Sequence, residues 1–369
     1  MIIIICKSAP PEHTGAGKRM YSFFRYLKNE GYEVKFVTNT PLDEKDVIVI
    51  KKCTIENYLW KFSPLFVFLF SLAQFVYWYI KGNFKSTDGV RTVWLVSSHP
   101  LESAASVFFY YAGYRIITQN VLMHSDDPSR RPGGRLNIFH KLRTLQYRFS
   151  HAVTSNSPGL YKLSKPHHPN CIMIPNPVEI QKVKNTVKPG KKTDILFVGR
   201  VSFRKGADIV FKAIDLIHIK DPEIKFTLVG PYDDMDEELK NIYSSCENIN
   251  RSNVLFAGYQ EDTQPWYRKA DIFFLPSRRE GLGTVFLEAI SYGIPVVANK
   301  LYGVTDYIFD NGYPGLIDSE DPEIYAGKLL KMINHPHYYE MLVAEWQPKL
   351  RRFETENIFK KYVNLITGQ

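Results

Sequence analysis

Short, strand-like apolar runs recur along the entire chain with helical periodicity between them, and this alternation narrows the fold more than any other feature. IIIIC, EVKFVT, VIVI, TVWLVSS, RIITQNVLMHS, AVTSN and CIMIP come first, then DILFVG, IKFTLVG, NVLFAG, DIFFLPS and PVVA. Strands that alternate with helices build βαβ units, hence parallel sheets with helices on both faces. At 369 residues the chain exceeds one ordinary core, which predicts two domains. The basic, polar stretch VEIQKVKNTVKPGKKTD, Val178 to Asp194, has the composition of a linker between two Rossmann-like halves. The predicted divisions are 1–180, 181–345 and a C-terminal helical part, 346–369, that packs back on the first domain. Helical patterning there runs from Tyr338 to Thr367.

With 44% apolar and 23% charged residues the chain is globular. Its four cysteines, Cys6, Cys53, Cys171 and Cys246, are dispersed with no CxxC pair, which argues against a zinc site or a disulfide framework and for a reducing compartment. The first apolar run has no basic residue before it and a loop directly after it, so a buried strand is expected there, not a signal peptide. Charge is unevenly divided. Residues 1–180 carry 22 Lys and Arg against 12 Asp and Glu, a net of +10, whereas the remainder nets −1. Only the first domain is thereby expected to face an anionic surface.

Within that half, FSPLFVFLFSLAQFVYWYI, Phe62 to Ile80, carries no charge and has lysines on both sides, with Tyr77, Trp78 and Tyr79 near its end. It is long enough to span a bilayer. Apolar strands precede and follow it, however, and a single crossing would split their sheet. The expectation is a helix with Ser63 as cap and Pro64 at its first position, lying in the membrane interface or entering one leaflet and returning. A wholly buried core helix is the alternative. Nucleic acid is disfavoured as a partner, because the aromatics cluster in the apolar run instead of interleaving with basic residues.

The stretch PPEHTGAGKRM after the first strand has the look of a phosphate loop. It is not a Walker A loop: the required first glycine falls at Glu12, and Arg19 replaces the hydroxyl after Lys18. A dinucleotide fingerprint fails at Met20. What remains is a glycine-containing turn from a strand into a helix, whose N-terminus favours anions. In the second half, GRVSFRKG sets Gly199, Arg200, Lys205 and Gly206 between a buried strand and an amphipathic helix, where two cations suit a diphosphate. Further on, SRREGLGTVFLEAISYGIPVVA follows another strand. Its GLG turn exposes backbone N–H groups at the head of a helix starting near Thr284. Glu280 falls in the loop, and Glu288 one turn into the helix, where a carboxylate can take two ribose hydroxyls.

The GAG loop, GRVSFRKG, the two glutamates of EGLGTVFLE, the following SYGIPVVA and PNPV at the domain junction together resemble the retaining glycosyltransferases of family 4. The resemblance implies the GT-B fold, an α/β architecture of two Rossmann-like parallel-sheet domains facing across a cleft. It further implies that Arg200 and Lys205 bind the donor diphosphate and steady charge on the departing nucleotide. Glu280, with the N–H groups of Gly281, Leu282, Gly283 and Thr284, matches the donor-sugar and phosphate site, and Glu288 the ribose ligand. Gly15, Ala16 and Gly17 match the first domain's donor loop, with Lys18 and Arg19 as helpers, although Ala16 interrupts the pair of adjacent glycines usual in the family. Acceptor chemistry is expected in LMHSDDPSRRPGG, with His124 first and Asp126 second as active-site groups, Arg130 and Arg131 for an acceptor's pyrophosphate, and His99 as a further candidate. No metal or other cofactor is expected beyond the nucleotide-sugar co-substrate, since Arg and Lys neutralise the leaving diphosphate.

These features together lead to a membrane-associated transferase at the cytoplasmic face, moving a sugar from a nucleotide donor to a lipid-linked or glycan acceptor in bacterial surface polysaccharide synthesis. A soluble transferase for a small-molecule acceptor, or a non-catalytic nucleotide-sugar or lipid-binding protein, are the alternatives.

Overall fold

A computed structural model of the chain describes residues 1–7, 9, 15–50, 64–84, 91–96, 100–120, 135–181, 193–233, 235–310, 312–335, 341 and 343–368. It divides into two compact units, Met1–Pro175 with Ile358–Gln369, and Asn176–Asn357.

In the first unit the strands are β1 (Ile2–Ile5), β2 (Val34–Thr38), β3 (Val47–Val49), β4 (Thr92–Val96), β5 (Arg115–Asn120), β6 (Ala152–Ser155) and β7 (Cys171–Met173), in the order β3-β2-β1-β4-β5-β6-β7. Every pairing is parallel, with Ile2 in register with Val34 on one side and Thr92 on the other. Strand side chains alternate between two apolar layers. Ile3, Ile5, Val93 and Leu95 enter one layer, and Ile2, Ile4, Trp94 and Val96 the other. Both faces are covered, which is why these strands read as unbroken apolar runs. Helix α1 (Gly15–Asn29) contributes Met20, Phe23, Phe24 and Leu27 to the second layer. Helices α2 (Pro64–Ile80) and α3 (Pro100–Tyr111) supply Phe68, Phe75, Leu101 and Phe109 to the first. α4 (Arg135–Arg148) and α5 (Pro158–Ser164) complete the helices of the N-terminal segment among the described residues.

In the second unit β8 (Asp194–Val198), β9 (Lys225–Val229), β10 (Val254–Gly258), β11 (Ile272–Leu275), β12 (Val296–Asn299) and β13 (Leu316–Ile317) form a parallel sheet in the order β10-β9-β8-β11-β12-β13. Its helices are α6 (Ala207–Lys220), α7 (Glu237–Ser245), α8 (Gln264–Lys269), α9 (Thr284–Ser291), α10 (Thr305–Phe309) and α11 (Pro322–Asn334). β8 lies between β9 and β11, so the strand order reverses there and makes a switch point, the usual ligand position in such sheets.

Three sequence expectations change. The C-terminal helical stretch is not continuous: Gln347–Phe353 is a 3₁₀ segment, and α12 (Thr355–Thr367) follows it, with Glu354 in extended backbone between them. Val178, expected at the start of a linker, is fixed instead, its N–H donating to Phe353 O at 2.8 Å and its carbonyl accepting from Thr355 N at 3.2 Å. The alternative of a wholly buried core helix falls for α2, which begins at Pro64 as expected, with Ser63 outside the described residues. Val67, Phe68, Ser71 and Phe75 are buried, while Leu69, Phe70, Val76, Tyr77 and Ile80 stand exposed on the other side, Ile80 at 73%. Among the described residues no helix is long and apolar enough to cross a membrane.

Candidate active site

β8 ends at Gly199, whose φ of +152° falls in the region favoured by glycine. The Lys205 side chain lies over this residue, its Cε 3.4 Å from where a Cβ would stand. Beyond the 3₁₀ turn Phe203–Lys205, Gly206 adopts φ +72° and opens α6. Any Cβ at Gly206 would overlap the carbonyl oxygen of Pro276, so this glycine lets the β8 loop close on the β11 loop. That second loop turns into α9 through Gly283, φ +76°, where a Cβ would sit 2.6 Å from the Phe286 ring. α9 begins at Thr284, and its N-terminal N–H groups carry the positive end of the helix dipole, with that of Phe286 already donating to Gly283 O at 3.0 Å.

The two loops meet in an ion pair. Lys205 Nζ stands 2.5 Å from Glu280 Oε1, with side chains only 12% and 8% exposed. Glu280 Oε1 also accepts from the buried Ser277 hydroxyl at 2.8 Å. Little water reaches the pair, so it interacts more strongly than a surface pair, and any ligand that takes over Lys205 must compensate Glu280. Arg200 is exposed on the same loop as Lys205. One turn into α9, Glu288 Oε2 accepts from the Tyr267 hydroxyl at 2.9 Å. Burial and the adjacent Glu288 hold the Tyr267 phenol well above its ordinary pKa, so it stays a proton donor and fixes the carboxylate's orientation.

Glu280 and Lys205 are therefore in direct contact, with Gly281, Leu282, Gly283 and Thr284 continuing from Glu280 into α9. In the first unit, Gly15, Ala16 and Gly17 form the start of α1. Arg19 does not reach outward as a helper would: its Nε and Nη2 are shut from solvent without a hydrogen-bond partner, and burial lowers its pKa despite the nearby Tyr362. His99, His124, Asp126, Arg130 and Arg131 lie outside the described residues. Sequence reasoning missed Ser277 and Tyr267. Ser277 was within reach, three residues before Glu280, whereas nothing in the chain ties Tyr267 to Glu288. Among the described residues no group of three or more His, Cys, Asp or Glu is gathered as a metal site would require.

Glycine-forced loops after β8 and β11, a buried Lys–Glu pair between them and a tethered glutamate on the next helix are thus gathered at one end of the second unit's sheet. Residues 178–347 match the family of glycosyl transferases, group 1. The matched region contains Arg200, Lys205, Ser277, Glu280 to Thr284 and Glu288 with its partner Tyr267, but not Gly15 to Gly17 of the first unit. The chain is also 29% identical over 194 residues to poly(ribitol-phosphate) alpha-N-acetylglucosaminyltransferase of Staphylococcus aureus, covering 51% of this chain and 38% of that one. It spans little more than a third of the length of the first curated relatives it matches. Among solved structures, sucrose-phosphate synthase of Thermosynechococcus elongatus superposes with a TM-score of 0.78 at 16% identity, over 100% of this chain and 98% of that one. Anabaena HepE in complex with UDP and glucose gives 0.77 at 16% identity, covering 100% and 99%. The chain has the GT-B fold, two parallel-sheet α/β domains.

Proposed function

We propose that the chain is a retaining glycosyltransferase that takes its sugar from a nucleoside diphosphate donor held by the second domain. The observation that carries this reading is the buried Lys205–Glu280 pair between the β8 and β11 loops. In the free protein Glu280 masks Lys205. A donor diphosphate, backed by Arg200 and the N–H groups of Gly281 to Thr284, draws Lys205 to itself, and Glu280, still held by Ser277, turns its free valence to the sugar hydroxyls. Glu288 takes the ribose hydroxyls while Tyr267 keeps one of its oxygens. In the transfer, the bond from the anomeric carbon to the diphosphate oxygen breaks with its electron pair leaving on the nucleoside diphosphate. The acceptor oxygen bonds that carbon and its proton passes to the departing diphosphate. Lys205 and Arg200 stabilise the charge that develops, so no divalent metal is needed. Acceptor binding belongs to the first domain, with His124, Asp126, His99, Arg130 and Arg131 as its groups.

The acceptor is lipid-linked or a glycan, in bacterial surface polysaccharide synthesis. The Staphylococcus aureus relative, named as an N-acetylglucosaminyltransferase for poly(ribitol-phosphate), supports a polymeric acceptor. A lipid-linked one is supported by α2, whose outward Leu69, Phe70, Val76, Tyr77 and Ile80 form a continuous apolar face on the basic half of the chain. Because the opposite side of α2 is core, the helix lies flat in the headgroup region at the inner face of the membrane, helped by roughly 1 kcal/mol for each nearby Lys or Arg.

The test is a panel of uridine, guanosine and adenosine diphosphate sugars, read by thermal stabilisation and by release of the nucleoside diphosphate, with and without EDTA. One class should stabilise the protein and turn over with EDTA present. Stabilisation by none, or activity that EDTA abolishes and magnesium restores, overturns the donor reading or its metal independence. Flotation with anionic vesicles, comparing the intact protein with a folded Leu69→Ser, Tyr77→Ser, Ile80→Ser variant, tests the membrane face. An intact protein that stays soluble favours a small-molecule acceptor.

A further inference from the structure

Lys205 and Glu280 belong to different loops, so contacts between the loops set their separation. Most of those contacts come from the residue two before Glu280. Arg278 donates through Nη1 to Phe203 O at 2.6 Å and to Asp208 Oδ1 at 2.7 Å. Through Nη2 it donates to Asp208 Oδ2 at 2.8 Å and Glu320 Oε2 at 3.0 Å, and through Nε to Glu320 Oε1 at 2.9 Å. Every N–H of the guanidinium is therefore engaged, in two bidentate forks and one carbonyl contact. Its backbone N–H donates to Arg204 O at 3.0 Å, and Arg204 Nη1 returns a bond to Arg279 O at 3.3 Å. Asp208 lies in the first turn of α6, directly after the Lys205 loop. The Arg278 guanidinium is taken up by Asp208, Glu320 and Phe203 O, none of which belongs to the Lys205–Glu280 pair.

We propose that Arg278 is a positioning residue: by clamping the Glu280 loop to the Lys205 turn and the start of α6, it sets the separation of the pair that handles the donor. This rests on the donor-site reading above. A lysine would keep the charge and lose the fork, since its three donors radiate from a single point. The ribose contacts of Glu288 and Tyr267 sit outside the clamp and go on holding the nucleotide when the Lys205–Glu280 separation shifts, so the effect falls on turnover more than on binding.

The experiment compares Arg278→Lys and Asp208→Asn with wild type, using the stabilising nucleotide sugar from the panel, by kcat and KM for nucleoside diphosphate release, calorimetric Kd for the corresponding nucleoside diphosphate, and thermal midpoint. Lys205→Ala serves as the donor-site control, and Lys349→Met, which removes a surface pair with Asp310 in the same domain, as the purely structural control. Both clamp variants should lose roughly 10–100-fold in kcat, as expected of a misplaced catalytic contact, with KM and Kd within about threefold. Lys349→Met should shift only the midpoint. If Lys205→Ala retains full turnover, the donor reading itself fails. If Lys205→Ala is impaired while the clamp variants differ from wild type only in thermal midpoint, Arg278 is structural and the inference alone falls. Should Arg278→Lys fail to fold, Asp208→Asn decides between the same two outcomes.

Discussion

Both units place a glycine-bearing loop between a buried strand and a helix, yet the glycines do different things. In the second unit they are imposed by contact. A Cβ at Gly206 would overlap Pro276 O, one at Gly230 would overlap Gly199 O, and one at Gly283 would strike the Phe286 ring, each at a positive φ. At Gly15, which opens α1 in the first unit, a Cβ would have nothing within 4 Å among the described residues. Glycine in one loop is a condition of folding. In the other, no described contact requires it.

Gly206→Ala should be the most damaging single change, because it combines strained backbone with a backbone collision. A loss of about 3 kcal/mol or more in urea unfolding is expected, together with loss of donor stabilisation. A variant as stable as wild type would remove the basis of the comparison. Tyr267→Phe should cost less. It leaves the ring packing, takes away the hydrogen bond to Glu288 and weakens calorimetric nucleotide binding by roughly tenfold, about 1.4 kcal/mol. Unchanged affinity would mean that Glu288 needs no tether. Gly15→Ala should alter stability least, by no more than about 0.5 kcal/mol. If turnover nevertheless falls at unchanged stability, close approach of a ligand explains that glycine.

Which parts were legible follows the same division. The buried strands, the loops after β8 and β11, Lys205, Glu280 and Glu288 were readable because local patterns encode them: apolar runs, glycines beside a helix start, acids at fixed spacing. Tyr267, Asp208 and Glu320 were not, since their partners lie 21, 70 and 42 residues away in the chain and only the sheet order brings them together. β13 was missed because two residues, Leu316 and Ile317, carry no periodicity. The run around α2 hid its two faces because both are apolar, and composition cannot tell which side a sheet has already covered.

The aromatic packing around α12 has a consequence in time. Phe359, tilted, and Tyr362, edge-on, pack against Phe23 of α1, and Trp94 of β4 meets Tyr362 at 4.7 Å between centroids. Farther along, Ile366 O accepts from Thr92 Oγ1 and Leu365 O from Arg115 Nη1. One layer of the first unit thus lacks its cover until residues 358–366 have been made, after residues 176–357 of the other unit. At about 5–20 residues per second that interval is roughly 10–35 s on the ribosome. During it Phe23 and Trp94 lack the α12 rings that cover them, open to chaperones and to neighbouring nascent chains, and the unit that begins first is finished last.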